Sequence, residues 1–141
     1  VTAVDREVLA ERAAAVERHL ERVAAKLPAS GPLLPGSDAS DAVVLHLWQA
    51  VQIVIDLGVA CCVRLGLGAP PTYADAFRRL ADAGHIDRPL SERLARAAGF
   101  RNVVAHAYES LDLARVQAAA TSGPADLRAF LARIRDVIAG K

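Results

Sequence analysis

Between Asp41 and Asp56 the chain runs for fourteen residues without a formal charge, and it stays largely apolar through Cys61 and Cys62 to Leu65. Read as a helix from Asp41 to about Leu65, this segment carries Val43, Val44, Leu47, Trp48, Val51, Val54 and Ile55 and leaves almost no water-facing surface. A helix apolar around nearly its whole circumference has to sit at the centre of a fold or be shared with another subunit. The uncharged stretch is shorter than the ~20 residues that span a bilayer and contains His46, Gln49 and Gln52, so a core helix is expected and a membrane is not. At about 100° per residue, His46, Gln49, Gln52 and Asp56 gather within roughly a third of the circumference. That stripe is a candidate to line a cleft or a dimer seam, and equally an ordinary solvent-facing stripe.

Other helices should surround this one. Leu9, Ala13, Val16, Leu20, Val23 and Leu27 alternate by four and three, the seam of one long helix that Pro28 and Ser30-Gly31-Pro32 bring to an end. Asp38 or Ser40 is expected to cap the central helix. Pro70-Pro71-Thr72 stops it and opens a third, with Thr72 and Asp75 in capping-box spacing and Phe77 and Leu80 turned inward. A helix after Asp87 and Pro89 is expected to end near Gly99, a short one to run from Asp112 to Ala120, and a last one to open at Gly123-Pro124 and carry Leu127, Phe130, Leu131 and Ile134. Aromatic residues make up only 4%, so alanine and aliphatic side chains do the packing, as suits helices. The expectation is an all-α, up-and-down helical bundle of about five or six helices, one domain over residues 1–141.

A net charge of +1 gives no global attraction to nucleic acid, so any contact with RNA has to come from local placement of arginines. Cys61 and Cys62 are neighbours on a helix and point about 100° apart, which reads as two buried thiols in a reducing cytoplasm. Neither clustered carboxylates nor a His/Cys set at ligand spacing is present, so neither a metal nor a cofactor is expected.

Of the four histidines, only His106 has chemically useful neighbours. Asn102 lies four residues before it and shares its face if the stretch is helical, while Arg101 and Tyr108 flank the pair. An imidazole titrating near neutrality can exchange a proton with an attacking 2′-hydroxyl or a leaving oxygen. A guanidinium can grip a phosphate and offset the charge that develops on it, and Asn102 could orient either group. Taken alone, an Arg/His pair is more often structural: a histidine bonded to a backbone carbonyl and an arginine at a helix end.

The string Arg101-Asn102-x-x-x-His106-x-Tyr108 resembles the R-x4-H-x-Y signature of HepT toxins, a family of the HEPN superfamily. Gln49, Gln52, Ile53 and Asp56 are similar to the family's second helix, Pro71-Thr72-Tyr73-Ala74-Asp75-Ala76-Phe77 resembles the entry to its third, and Gly99-Phe100 fits ahead of the motif. The likeness covers about residues 40 to 138. Val104-Ala105 replaces a bulkier pair, which bears on packing more than on chemistry. The resemblance implies a HEPN-fold homodimer with two motifs facing across a cleft, cleaving RNA, with transfer RNA among the family's targets, without a metal. It makes His106 the general acid/base, Arg101 the phosphate ligand and Asn102 their polar partner. Tyr108 corresponds to the tyrosine to which a cognate minimal nucleotidyltransferase antitoxin, MntA, attaches AMP. A different class of function, a non-catalytic helical subunit that binds and assists a nucleotidyltransferase, would share the same helices; a purely structural dimerisation domain would leave the motif unexplained.

Overall fold

A computed structural model describes residues 4–140 and shows five α-helices: α1 (Arg6–Lys26), α2 (Asp38–Arg64), α3 (Tyr73–Asp82), α4 (Arg88–Ala107) and α5 (Leu113–Ile138). One turn of 3₁₀-helix at Tyr108–Ser110 joins the last two, and no strand occurs among the described residues. The apolar α2 is the centre: α1, α3, α4 and α5 all pack against it. Its 27 residues are long and apolar enough to cross a membrane by composition, yet half of its most apolar stretch is covered by the surrounding helices. Leu9, Val16, Leu20 and Val23 supply the seam of α1, while Phe77 of α3 and Phe130 of α5 meet edge to face with ring centres 5.5 Å apart. The close approach of α3 to α2 depends on Gly58, where a Cβ would lie 3.0 Å from Cε1 of Phe77.

Three boundaries differ from the sequence expectation. The cap of α2 is Ser37, whose hydroxyl oxygen accepts from the Ser40 amide at 3.1 Å; Ser40 is already in the first turn, and its own hydroxyl donates to Leu34 O at 2.7 Å, closing the loop. Gly99 does not end α4. It keeps a negative φ, and Val104 beyond it returns to the core at 7% exposure, so the helix carries on through Arg101, Asn102 and His106 to Ala107.

Gly123-Pro124 likewise does not separate two helices, because α5 passes straight through both residues. A proline there deprives the Ala120 carbonyl of its amide partner and costs about 3 kcal/mol. Val116 and Ala120 before it and Leu127, Phe130 and Ile134 after it are all buried, and each large side chain returns roughly 1.5–3 kcal/mol, so the continuous stripe outweighs the break.

Side chains fix the connections. Gln117 of α5 accepts from the Leu33 amide and donates to Gly31 O, both at 2.9 Å, pinning the loop before α2. Arg79 donates to Leu67 O and Ala69 O, Arg133 to His85 O and Arg64 to Val4 O. Several of the arginines are thus committed to holding backbone carbonyls rather than to a ligand. Cys61 and Cys62 are free and buried; Sγ of Cys62 donates to Ala76 O at 3.3 Å, and burial pushes the Cys61 thiol up to about 12.

Candidate active site

Because α4 continues past Gly99, the motif is built on a regular helix whose inner side is held by half-buried Phe100 and buried Val104. Arg101 lies at the edge of that inner side, against the outer face of α2. Its Nε donates to Oε1 of Gln52 at 2.6 Å, and Nε2 of Gln52 donates in turn to Oδ1 of Asp56 at 2.9 Å. The guanidinium carbon is 5.8 Å from the ring centre of Trp48 on α2 and 5.4 Å from that of Tyr73 at the start of α3, both within cation–π range. Trp48 Nε1 also donates to the carbonyl oxygen of Arg101 at 3.3 Å, which fixes the motif's backbone to α2. Finally, Nη1 of Arg101 donates to Oδ1 of Asn102 at 3.3 Å.

Asn102 and His106 are both exposed and stand one above the other on α4, as their spacing of four requires. Arg101 and His106 are five apart, which turns their side chains roughly 140° from each other about the helix axis and about 7.5 Å along it. The two therefore occupy different faces of one helix, and Asn102, bonded to Arg101, shares its face with His106. Tyr108, in the 3₁₀ turn, is 46% exposed, and its hydroxyl donates to Oδ1 of Asp41 at 2.9 Å. Partial burial raises the phenol above its usual value, and the bond to Asp41 and the charge of that carboxylate raise it further, so Tyr108 is a neutral donor at physiological pH. Beside it opens a cleft of about 520 Å³ between the loop before α2 and the start of α5, with Pro35, Asp41, Val44 and Leu113 in its walls.

The polar stripe of α2 divides. Gln52 and Asp56 join Arg101, and Gln49 is half-buried beside them. His46 faces α1 instead, its Nδ1 3.0 Å from Nδ1 of His19, a hydrogen bond that needs one ring protonated at that nitrogen and the other not. The face that serves the motif is Asp41, Leu45, Trp48, Gln52 and Asp56, spaced by four, three, four and four. Asp41, Trp48 and Tyr73 are thus site residues that the sequence reading did not single out for a role in the site. The signal for Asp41 and Trp48 was their helical register with Gln52; Tyr73 reaches the site only because α3 packs on α2, which no spacing discloses. Leu45 on this face and Val103 on α4 are exposed apolar side chains, 47% and 52% accessible. Among the described residues no group of three or more His, Cys, Asp or Glu side chains is placed to hold a metal ion.

The sequence profile described as Ribonuclease HepT-like matches residues 32–134, most of the chain and all of the site. A Shewanella oneidensis protein described as mRNA nuclease HepT is 26% identical over 107 residues, which are 76% of this chain and 80% of that one. An Archaeoglobus fulgidus protein described as a putative RNase is 32% identical over 80 residues, 57% of this chain and 60% of the relative. Among solved structures, the tri-AMPylated Shewanella oneidensis HEPN toxin in complex with its MNT antitoxin superposes with a TM-score of 0.84 at 25% identity, covering 92% of this chain and 98% of that one.

Proposed function

The chain belongs to the HepT-like ribonuclease family, and from that premise we propose that it is the toxin of a toxin–antitoxin pair, a metal-independent endoribonuclease that works as a homodimer. The observation that carries the reading is the motif itself: Arg101, Asn102 and His106 on a continuous helix and Tyr108 in the turn that follows, with Arg101 clamped and His106 free to meet solvent. In this scheme His106 exchanges the proton of the attacking 2′-hydroxyl or the leaving oxygen, and Arg101 offsets the charge that gathers on the phosphate. Asn102 aligns the guanidinium from the helix face that it shares with the imidazole. Since Arg101 and His106 of one chain stand on different faces of α4, a second copy facing the first lets two motifs act on one RNA strand. Exposed Leu45 and Val103 beside the motif support such a pairing.

Tyr108 is then the residue that the cognate MNT-type nucleotidyltransferase modifies with AMP. Each AMP adds a negative phosphate and a bulky nucleoside beside the cleft, which repels and excludes RNA. The substrate is a cellular RNA, and messenger and transfer RNA are the two classes to compare in the cleavage assay.

The decisive experiment is cleavage of RNA by the purified protein in EDTA. His106→Ala and Arg101→Ala should each abolish cleavage and growth inhibition while the protein stays folded. Full toxicity in Arg101→Ala would instead favour a non-catalytic subunit that assists a nucleotidyltransferase. Co-expression with the neighbouring nucleotidyltransferase should add whole AMP masses to the intact protein, and Tyr108→Phe should prevent it.

A further inference from the structure

Gln52 and Asp56 form a chain that ends on the guanidinium without letting a carboxylate touch it. As a carboxylate Asp56 offers only acceptor oxygens, so it fixes which way the Gln52 amide points: Nε2 toward Asp56, Oε1 toward Arg101. The flipped amide would set two acceptor oxygens against each other at one end and two donors at the other. With Nε bound by Gln52, Trp48 and Tyr73 within cation–π range and the backbone tied through Trp48 Nε1, Arg101 is held from α2 and α3 and keeps its terminal Nη edge for a ligand. Among the described residues only Asn102 hydrogen-bonds to that edge.

The intervening glutamine matters as much as the carboxylate. A carboxylate bonded directly to the guanidinium would lock it equally well, but it would neutralise the cation and compete with phosphate for the same fork. A neutral amide transmits the direction of the hydrogen bond and leaves the positive charge facing outward. Preorganisation of this kind acts where charge develops in the transition state, with no side-chain rearrangement left to do at that moment.

We infer that Gln52 and Asp56 are positioning residues for Arg101: Asp56 orients the Gln52 amide, and that amide holds the guanidinium with its Nη edge presented to the scissile phosphate. This rests on the nuclease reading, in which Arg101 is the phosphate ligand. RNA cleavage by the unsubstituted protein, lost in His106→Ala, is the separate control for that reading.

The test is steady-state cleavage of a fluorogenic RNA oligonucleotide. Gln52→Ala should lower kcat/KM about tenfold, mostly in kcat, because the phosphate gains charge between ground and transition state. Asp56→Ala should lose several-fold, and Asp56→Asn, which keeps an acceptor oxygen, should recover most of that loss. Gln52→Glu should be impaired although its shape is kept, since it loses the donor to Asp56 and puts a charge against Nε. In an Arg101→Lys background, which lacks Nε, the Gln52→Ala effect should shrink to less than twofold, because the two residues act as one unit. A readout independent of activity is the Arg101 Nε–H resonance in a ¹⁵N spectrum, protected from solvent exchange in the unsubstituted protein and exposed in Gln52→Ala. An active parent whose Gln52→Ala variant cleaves normally overturns the assignment. So does a loss confined to KM, an equal loss in the Arg101→Lys background, or an Nε–H already in free exchange.

Discussion

The same substitution, glycine to alanine inside a helix, should have opposite signs at two positions, and the difference follows from packing alone. Gly58 and Gly99 both have right-handed helical backbone, so each alanine removes about 0.8–1.0 kcal/mol of unfavourable helix propensity. At Gly99 a new Cβ meets nothing within 4 Å, so the whole gain should appear. Gly99→Ala is expected to raise stability by about 1 kcal/mol, or roughly 3 °C in Tm for a chain of this size. At Gly58 the Cβ would lie 3.0 Å from Phe77 Cε1, and Phe77 is 1% exposed and braced edge-on by Phe130, so the ring has nowhere to go. Overpacking of this kind costs about 1–3 kcal/mol, which cancels the propensity gain and leaves a net loss of up to about 2 kcal/mol. Urea unfolding with unchanged m-values reads both directly. A destabilised Gly99→Ala would mean that the glycine is a left-handed helix end, as its sequence context suggested, and that α4 does not carry the motif as a continuous helix. A Gly58→Ala as stable as Gly99→Ala would contradict the close contact of α2 with α3 that brings Tyr73 to the site.

Pro124→Ala restores an amide to the middle of α5 and should stabilise the protein by about 1–3 kcal/mol in the same assay; a neutral or negative result would restore a helix boundary at that point. In a Tyr73→Phe background Tyr108 is the one remaining tyrosine, and Asp41→Asn should bring its phenol down toward 10, read by ultraviolet titration; an unchanged midpoint would remove the hydrogen bond to Asp41. Burial lowers the pKa of His19, helped by His46, Arg22 and Arg18, and burial with Arg22 lowers that of His46. Both groups are then neutral in the folded state when they already bind protons in the unfolded one. Their contribution is intact above about pH 6.5 and declines as pH falls below it, so His46→Gln should flatten the loss of Tm between neutral and mildly acidic buffer. An unaltered pH profile in that variant would count against the pair.

Much of the architecture could be read from periodicity, because burial imposes it: the seam of α1, the apolar circumference of α2 and the stripe of α5 all appear as spacing. The misreadings came where local chemistry and tertiary packing disagree. Gly99 and Gly123-Pro124 carry strong helix-ending preferences, and at both places the buried residues on either side, Val104 in one case and Leu127 and Phe130 in the other, keep the helix going. Propensity is a local quantity of about 1–3 kcal/mol per residue, and several buried side chains exceed it.

The motif was legible as a string, whereas its support was not. Arg101 is held by Gln52, Trp48 and Tyr73, which lie 49, 53 and 28 residues away in sequence and reach it only because α2 and α3 meet beside α4. A helical wheel can place Gln52, Trp48 and Asp56 on one face, and it did so for two of the three, but it ranks His46 as their equal when His46 belongs to a separate pair with His19. The face a residue shares is a property of its own helix; the neighbour across from that face is a property of the fold. Arg101 and His106 show the consequence in the other direction. They are close in sequence, yet a regular helix sets them on different faces, so joint action on one phosphate requires geometry from outside the helix. That is why the oligomeric state bears directly on the chemistry. Leu45→Asp or Val103→Asp, both at exposed positions away from the core of the single chain, should yield folded protein that sediments as a monomer and has lost RNA cleavage together with dimerisation. A monomeric variant that still cuts RNA at the parental rate would show that one chain carries a complete site.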